Sequence, residues 1–436
     1  MTKASEWIQL FGIAEDVLAS ADGVYAKREP NTGFGRLIAL HGSDTAENMR
    51  QFRRLTSLME RYISTFGDAE VKVISSPGRA ELLGNYQDNL TLGHTISAAI
   101  TRDVLVVAGR STEEAMRIYD TKFDDPLEMK VDHLPDAAHC PIHRWHAIPM
   151  GIGKILADKY NTFLGLNAVV DGEVPEGAGC SSSAAFENGL VFAVDRLYDL
   201  GMTINQMATV SKRAENEFMG KGCGYLDQIS SLVGGVVYIS YADPENPQFT
   251  RLKKWFDGWS LVTVQVDEGH GGANDLYNSI KPDLLAKEED IRNAIKVGLH
   301  NAMGMFLITN FGDKDAQRRN ERGLFYAEEY TRVSSGALCI LRGTESDAEY
   351  FGYLMDESGN GSRDYLLNTN PKIDEAVALA RQYGVYARVH GGGFKGGPII
   401  MTKDPAYMVE VMEHKYGKGC ALVHGIREGT CEINLN

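Results

Sequence analysis

A glycine- and serine-rich loop that runs directly into a helix-like segment sets the strongest constraint on the fold. Residues 174–185 read VPEGAGCSSSAA, and apolar residues follow at helical spacing over 184–197. Glycines let backbone N–H groups approach a ligand closely, and the first N–H groups of a helix are unpaired and partly positive. The segment therefore predicts an anion site at a helix start, which the phosphates of a nucleotide would fit.

This loop does not match the common nucleotide-binding motifs. It lacks the lysine of a Walker A motif and the glycine pattern of protein kinases. The charge of a bound phosphate would have to be met by a metal ion and backbone amides, with Ser181, Ser182 and Ser183 adding hydroxyl groups. On this segment alone, a turn that merely caps a helix is the open alternative.

Length and charge restrict the class of protein. The 436 residues suffice for two domains with full hydrophobic cores, and 43% apolar with 24% charged residues is ordinary for a globular protein. The formal net charge of −15 disfavours a nucleic acid or an anionic membrane as the main partner. A small neutral substrate agrees better with this balance.

Cysteine usage and hydropathy bear on location. The six cysteines are scattered without paired spacing, and the first residues, MTKASEW, lack the apolar core of a signal peptide. No run approaches about 18 consecutive apolar residues, the length of a membrane span. We therefore expect a cytoplasmic protein in a reducing compartment.

Apolar periodicity alternates between helix and strand without a regular βαβ rhythm. Helices are predicted over 46–66, 184–218, 284–308, 344–356 and 372–383. Strands are predicted over 71–74, 104–108, 166–170, 234–239, 261–266 and 385–389. The mixture favours an α+β fold in two lobes over a doubly wound sheet, with a boundary near residues 245–260.

Three further segments combine glycines with charged residues. Residues 76–88 read SPGRAELLGNYQD and place Arg79 between a Pro-Gly turn and a short apolar run. Residues 214–228 read AENEFMGKGCGYLDQ, where a helix ends in glycines and Asp227 follows, and residues 390–397 read HGGGFKGG. Taken singly, these segments also have structural interpretations: a surface ion pair, a glycine helix cap before a helix-starting aspartate, and a tight turn.

Taken together and in this order, the four segments resemble the GHMP kinases, and most closely the galactokinase family. The resemblance runs from about residue 71 into the C-terminal region. It implies the two-lobed α+β GHMP kinase fold, with the active site in the cleft between the lobes. The domains would be an N-terminal helical extension at 1–70, an ATP-binding N-terminal domain at 71–250 and a C-terminal domain at 251–436.

The resemblance also implies roles for individual residues. Asp227 matches the catalytic aspartate that accepts the proton of the anomeric hydroxyl as it attacks the γ-phosphorus of ATP, and Arg79 matches the arginine beside it. Ser183, with Ser182 as the alternative, and Glu215 match the residues associated with Mg²⁺. The phosphates of ATP would be bound by Gly177, Ala178, Gly179, Ser181, Ser182, Ser183 and Ala184.

The sugar-binding segment departs from the galactokinase pattern. Where those enzymes have Gly-Glu-His-x-Asp, this chain has glycine followed by Asn85, Tyr86, Gln87 and Asp88. An amide and a phenol pair with different hydroxyls than an acid and an imidazole do, and a buried unpaired polar group costs about 1–3 kcal/mol. The predicted sugar-binding residues are Asn85, Tyr86, Asp88, Gly224 and Tyr277.

The sequence thus predicts an ATP- and Mg²⁺-dependent sugar 1-kinase, with galactose as the leading substrate. A kinase for another sugar or polyol and a catalytically silent sugar and ATP sensor are the alternatives. The expected partners are the sugar and ATP, without nucleic acid or membrane; the sequence does not give the oligomeric state. His133, His139, Cys140, His143 and His146 form a cluster that is interpreted as a solvated loop, with zinc as the alternative.

Overall fold

Alternating side chains bury both faces of the main sheet. On the strand His94–Arg110, Leu105 and Val107 belong to one buried apolar cluster, whereas Val104 and Val106 belong to another. Successive side chains of a strand point to opposite faces, so helices must cover this sheet on both sides.

The computed structural model describes residues 2–19, 40–41, 44–130, 136, 140, 145–252, 254–266, 273–298, 306 and 312–434. Its strands are β1 (Thr2–Lys3), β2 (Glu70–Leu83), β3 (His94–Arg110), β4 (Ala115–Asp120), β5 (Leu127–Lys130), β6 (Leu166–Gly172), β7 (Val236–Ser240), β8 (Gln248–Arg251), β9 (Ser260–Val264), β10 (Tyr386–Val389), β11 (Pro398–Thr402), β12 (Ala421–His424) and β13 (Cys431–Glu432).

Helices make up most of the remainder. They are α1 (Ala4–Ala19), α2 (Thr45–Phe66), α3 (Ala147–Tyr160), α4 (Ser182–Tyr198), α5 (Ile204–Arg213), α6 (Leu226–Val233), α7 (Ala273–Asn278), α8 (Ile280–Leu285), α9 (Glu288–Val297), α10 (Lys314–Arg342), α11 (Glu345–Gly361), α12 (Pro371–Gln382) and α13 (Pro405–Tyr416). Short turns of 3₁₀ or π type lie at Gln87–Asn89, Ala214–Phe218 and Ser362–Leu366.

The main sheet is mixed and runs in the order β1-β2-β3-β6-β4-β5. Only the β4–β6 pair among these neighbours is parallel in the described residues, and β7 and β13 add to β3 and β2. Helices α4 and α6 contact β2 and β3 on one face. On the other face α2 contacts β3 and β6, and α1 packs on α2.

A second sheet is antiparallel throughout and runs in the order β10-β11-β9-β12. Helices α12 and α13 cover one of its faces, where an apolar cluster includes Val262, Ile400 and Met412. Its other face joins the large cluster of the main sheet through Leu261 and Ile399. The two sheets are thus connected by continuous apolar packing.

The predicted α+β class is confirmed, and every predicted strand overlaps an observed one. The predicted helix over 46–66 is α2, which begins where the side chain of Asp44 accepts hydrogen bonds from the N–H groups of Ala46 and Glu47. The predicted helical region 184–218 divides into α4, α5 and a π-helical turn. The predicted helix over 284–308 corresponds to the end of α8 and to α9; residues 299–305 and 307–308 lie outside the described part.

Two expectations need correction or extension. The Pro-Gly turn predicted before Arg79 is wrong, because Pro77 and Gly78 lie inside the continuous strand β2, at a register shift against β3. The long helix α10 was not predicted at all. Its buried positions include Asn320, Arg322 and Glu329, so polar residues interrupt the apolar pattern from which a helix is recognised.

The domain boundaries at residues 70 and 250 stay predictions. The second sheet begins at β9, just beyond the predicted boundary, but β13 returns to pair with β2 through Cys431 and Ser75. None of the helices in the described ranges combines the length and the apolar composition required to cross a bilayer.

Helix α2 allows a stability test of the face of the main sheet that it covers. Leu55 of α2 is fully buried in the cluster that includes Val73 and Leu105, so Leu55→Ala is expected to lower the free energy of unfolding by about 2–5 kcal/mol. Denaturant titration with far-UV circular dichroism measures it. The exposed Ser57→Ala on the same helix is the control, and a loss of less than about 1 kcal/mol for Leu55→Ala would contradict this packing.

Candidate active site

One pocket collects all four segments that the sequence singled out. Its walls come from residues 79–88, from the loop at 175–183, from 221–227 and from 390–395, with Tyr277 beside them. These segments are far apart in the chain. The resemblance to the GHMP kinases, which rests on their order, predicted that they would lie in one site. The carboxylate of Asp227, the guanidinium of Arg79 and the backbone of the loop at 175–183 therefore line one pocket.

A buried ion pair lies at the centre of the pocket. Arg79 Nε donates to Asp227 Oδ1 at 2.7 Å, and Arg79 Nη2 lies 2.5 Å from the same oxygen. The Ser181 hydroxyl donates to Asp227 Oδ2, and Arg79 Nη1 donates to the carbonyl oxygen of Gly179. Burial alone would raise the pKa of Asp227, but the charges of Arg79 and Lys221 and the Ser181 hydrogen bond hold it below its usual range.

Local structure positions both members of the pair. Arg79 follows the register shift of β2, and its backbone N–H donates to the Cys180 carbonyl oxygen at 3.0 Å, which ties the strand to the loop. A Cβ on Gly78 would lie 2.7 Å from that same carbonyl, so a side chain there would displace the loop. Asp227 lies in the first turn of α6, where the helix dipole also favours a negative charge.

The loop before α4 has the backbone of an anion site. Gly177 and Gly179 have φ values of 74° and 75°, which glycine adopts without strain, and Ser181 has φ 54°. Ser181 is the residue before α4, yet its side chain does not cap the helix because it bonds Asp227. The first N–H groups of α4 thus meet the pocket without a side-chain cap, and this fits a phosphate.

The remaining predicted phosphate-site residues occupy different depths. Ser182 and Ser183 line the pocket with Ser181. Ala184 is fully buried under the loop, and Ala178 contributes its carbonyl oxygen as an acceptor from His390 Nδ1 at 3.0 Å. Their contacts with nucleotide stay predictions.

The predicted metal residues are in contact with each other. Ser183 Oγ donates to Glu215 Oε1 at 2.9 Å, and Lys221 Nζ donates to the same oxygen at 2.6 Å. Glu215 lies on the π-helical turn Ala214–Phe218, a distortion that often occurs at functional sites. A carboxylate and a hydroxyl beside a phosphate site are the oxygen donors that Mg²⁺ accepts, so this donor set fits that ion.

A second carboxyl group lies beneath Glu215. The amide of Gln228 donates to Glu215 Oε2 and Glu187 Oε2, each at 3.2 Å. Burial, and then the charge of Glu215, raises the pKa of Glu187 well above its usual range. Burial and the neighbouring carboxylate thus both disfavour the ionised form of Glu187.

Asp88 lines the same pocket as Arg79 and Asp227. Burial, followed by the negative charge of Asp227, raises the pKa of Asp88 to about 6. A Cβ on Gly224 would collide with the Asp88 carboxylate, so glycine is required for this approach. The predicted pairing of Asp88 and Gly224 in one site is thus present, while their contact with sugar stays a prediction.

Asn85, Tyr86 and Tyr277 also line the pocket. The rings of Tyr86 and Tyr277 lie with centroids 5.2 Å apart. Both polar groups of Asn85 and the hydroxyl of Tyr86 already bond protein atoms, as described below for the glycine loop. The sequence did not anticipate these contacts.

His390, at the start of the last glycine loop, connects the walls of the pocket. Its Nε2 accepts from the Glu81 N–H at 3.1 Å while its Nδ1 faces the Ala178 carbonyl oxygen. Burial, and then the charge of Arg79, lowers the pKa of His390 to about 3, so the ring is neutral and carries its proton on Nδ1.

Some residues of this arrangement were not predicted from the sequence. Lys221 and Glu187 were not identified; Lys221 lies in the quoted glycine-rich segment, whereas nothing in the pattern marks Glu187. Of the histidine cluster, His133, His139 and His143 lie outside the described residues. Within the described ranges no group of three or more His, Cys, Asp or Glu residues could hold a metal ion.

Two family models match the chain. The model described as the GHMP kinases N terminal domain matches residues 147–235, and that described as the galactokinase galactose-binding signature matches residues 60–110. These ranges include the phosphate loop, Asp227 and Arg79, on which the resemblance depends.

Similar proteins and structures agree with these matches. A galactokinase from Enterococcus faecalis is 27% identical over 352 residues, 79% of this chain and 89% of the relative. A galactokinase from Exiguobacterium sibiricum is 27% identical over 358 residues, 80% and 88% of the two chains.

Two solved structures show the fold. Lactococcus lactis galactokinase complexed with galactose has a TM-score of 0.74 at 20% identity, covering 87% of this chain and 100% of the other. Methanococcus jannaschii mevalonate kinase has a TM-score of 0.57 at 16% identity, covering 83% and 99%.

The pKa of Asp88 predicts a pH-dependent effect on stability. Its folded-state pKa of about 6 exceeds the unfolded value of about 3.9, so its contribution to stability is complete below about pH 4 and is lost as the pH rises through 6. Asp88→Asn removes this loss. We expect its free energy of unfolding, relative to wild type, to increase by about 1 kcal/mol from about pH 5 to about pH 8.

Denaturant titrations at the two pH values measure this difference. Asp124→Asn, at an exposed aspartate outside the pocket, is the matched control for removing one carboxylate. A pH-independent difference between Asp88→Asn and wild type would mean that Asp88 has an ordinary pKa.

Proposed function

Since this chain belongs to the GHMP kinase superfamily and is related to its galactokinase family, we propose that it transfers the γ-phosphoryl group of ATP to the anomeric hydroxyl of galactose. The observation that carries this proposal is the Asp227–Arg79 ion pair beside the phosphate loop. Ser181 of that loop donates a hydrogen bond to the same carboxylate. This combination places a base beside an anion site.

Asp227 acts on the attacking hydroxyl. An aspartate with a low pKa is a weak base, so it contributes by being ionised, close and oriented rather than by strong proton affinity. Its two oxygens are fixed by Arg79 and Ser181, which leaves it in one orientation. As the O–P bond forms and the bond to ADP breaks, the hydroxyl proton passes to Asp227.

Arg79 has a second role in the transfer. Its guanidinium keeps Asp227 ionised and is close enough to the phosphate loop, through the Gly179 carbonyl, to stabilise negative charge on the transferring group. The loop amides and the start of α4 hold the other phosphate oxygens. The reaction thus relies on position and charge.

Ser183 and Glu215 would hold Mg²⁺. When bound, the ion neutralises charge on the β- and γ-phosphates. Lys221, which bonds Glu215, orients that carboxylate toward Ser183.

The identity of the sugar rests on the relatives and on the galactose-binding match at residues 60–110. A kinase for another sugar is the second candidate, because Asn85 and Tyr86 replace the acid and imidazole of the galactokinase pattern. The silent sensor is disfavoured because Asp227, Arg79 and the serine loop are all present.

The six cysteines are free thiols, which supports a reducing cytoplasm as the location.

A substrate panel tests the proposal. Purified protein with ATP and Mg²⁺ is assayed for ADP release with galactose, other hexoses, a deoxy-galactose series and polyols. We expect kcat/KM for galactose to exceed that of every other natural hexose by at least about tenfold, since unpaired buried polar groups disfavour epimers. Faster turnover of another sugar or polyol would replace galactose, and no sugar-dependent ADP release would favour the sensor.

Substitution of the base tests the mechanism. Asp227→Asn keeps the size of the side chain but removes its charge, and we expect turnover to fall by about 10²–10⁴. Nucleotide binding, followed by titration calorimetry, is expected to stay nearly unchanged because the loop amides are intact. Turnover close to wild type in this variant would remove the assignment of Asp227 as the base.

A further inference from the structure

The glycine loop at residues 391–396 lies in backbone contact with the glycine- and serine-rich loop at 177–184, called the phosphate loop here. A Cβ added to Gly391 would lie 2.9 Å from the carbonyl oxygen of Gly179, and one added to Gly396 would collide with the carbonyl oxygen of Gly177. Only residues without side chains permit such an approach. The two loops therefore pack backbone against backbone.

Two side chains hold the opposite edge of the glycine loop. Asn85 Nδ2 donates to the Gly391 carbonyl oxygen at 2.6 Å, and Tyr86 Oη donates to the Gly392 carbonyl oxygen at 2.7 Å. These are adjacent residues bonded to adjacent carbonyls. Tyr86 has φ 59°, an uncommon backbone conformation for a tyrosine, which accompanies this orientation.

Asn368 completes the arrangement from a third element. Its Nδ2 donates to Asn85 Oδ1 at 2.8 Å, and its backbone carbonyl oxygen accepts from the Phe394 N–H at 2.5 Å. Asn368 is fully buried, and Asn85 is 1% exposed. We refer to Asn85, Tyr86 and Asn368 as the loop clamp.

Both amide protons of Asn85 are already donated to protein atoms. Besides the Gly391 carbonyl, its amide donates to Glu81 Oε1 and Oε2 at 2.9 and 3.0 Å, and its carbonyl oxygen accepts from Asn368. An amide has two N–H donors, so a sugar hydroxyl could accept a hydrogen bond from Asn85 only by displacing a protein partner in a buried site. The Tyr86 hydroxyl likewise has one proton, and it is donated to Gly392.

We propose that Asn85 and Tyr86 are positioning residues that hold the glycine loop against the phosphate loop, rather than hydrogen-bond donors to the sugar. Sugar recognition then falls mainly on Asp88 and Asp227, whose side chains line the same pocket. This inference rests on the proposed kinase activity for its kinetic consequences. Its structural part concerns the order of the glycine loop and holds whatever the substrate is.

Tyr86→Phe tests the proposal by removing one hydroxyl while keeping the ring beside Tyr277. Loss of one buried hydrogen bond is expected to speed amide hydrogen exchange in peptides covering 390–397 about 3- to 10-fold in the ligand-free protein. In steady-state assays KM for ATP is expected to rise about 3- to 10-fold, with KM for the sugar within about twofold of wild type.

Tyr277→Phe is the matched control for exchange, since it removes the hydroxyl of the neighbouring ring, and it is expected to leave exchange at 390–397 at the wild-type rate. Unchanged exchange in Tyr86→Phe, or a rise in KM confined to the sugar, would overturn the proposal. If no sugar is phosphorylated by the wild-type protein, the exchange comparison still decides the structural part, so failure of the proposed function is recognised separately.

Discussion

The buried pair of Arg79 and Asp227 is the interaction on which the site depends. Their side chains are 5% and 16% exposed, and removing two charges from water is costly unless further hydrogen bonds compensate. The Gly179 carbonyl and the Ser181 hydroxyl supply these bonds. The shift in β2, the glycines of the phosphate loop and the start of α6 are all consistent with this one requirement, because each brings one of the four groups into place.

In the proposed kinase, this arrangement also explains how the phosphate loop works without a lysine. The cations nearest the reacting groups, Arg79 and Lys221, are each already paired with a carboxylate, Asp227 and Glu215. A triphosphate would bring several negative charges into a region that contains Asp88 as well. Because these cations each hold a carboxylate as well, backbone amides and, in the proposed kinase, a divalent ion share with them the neutralisation of that charge. Retention of Ser183 beside Glu215 agrees with that division of labour.

The sequence predicted those parts of the fold that depend on local pattern. The strands at 104–108 and 166–170 were recognisable because their residues are apolar on both faces, and α2 because its apolar side lies on one face. The helix α10 escaped because buried polar residues such as Glu329 interrupt its pattern. In the site, the resemblance carried by the order of the motifs predicted that Arg79, Asp227 and the phosphate loop lie together. Residues whose role depends on a partner distant in sequence, such as Glu187 with Glu215, carry no local mark and need the structure.

The departures from the galactokinase pattern illustrate the same limit more sharply. From their position in the segment that matches the galactokinase pattern, Asn85 and Tyr86 were expected to pair with hydroxyls of the sugar, since an amide and a phenol can do so. The structure gives each of them a backbone carbonyl in the glycine loop instead. A side chain at a sugar-binding position can thus change from ligand to support without altering the fold, because the carbonyls it bonds belong to a loop that glycine already allows to approach. In the proposed kinase, substrate preference then depends mainly on Asp88 and Asp227, and the substituted positions determine how firmly the phosphate loop is held.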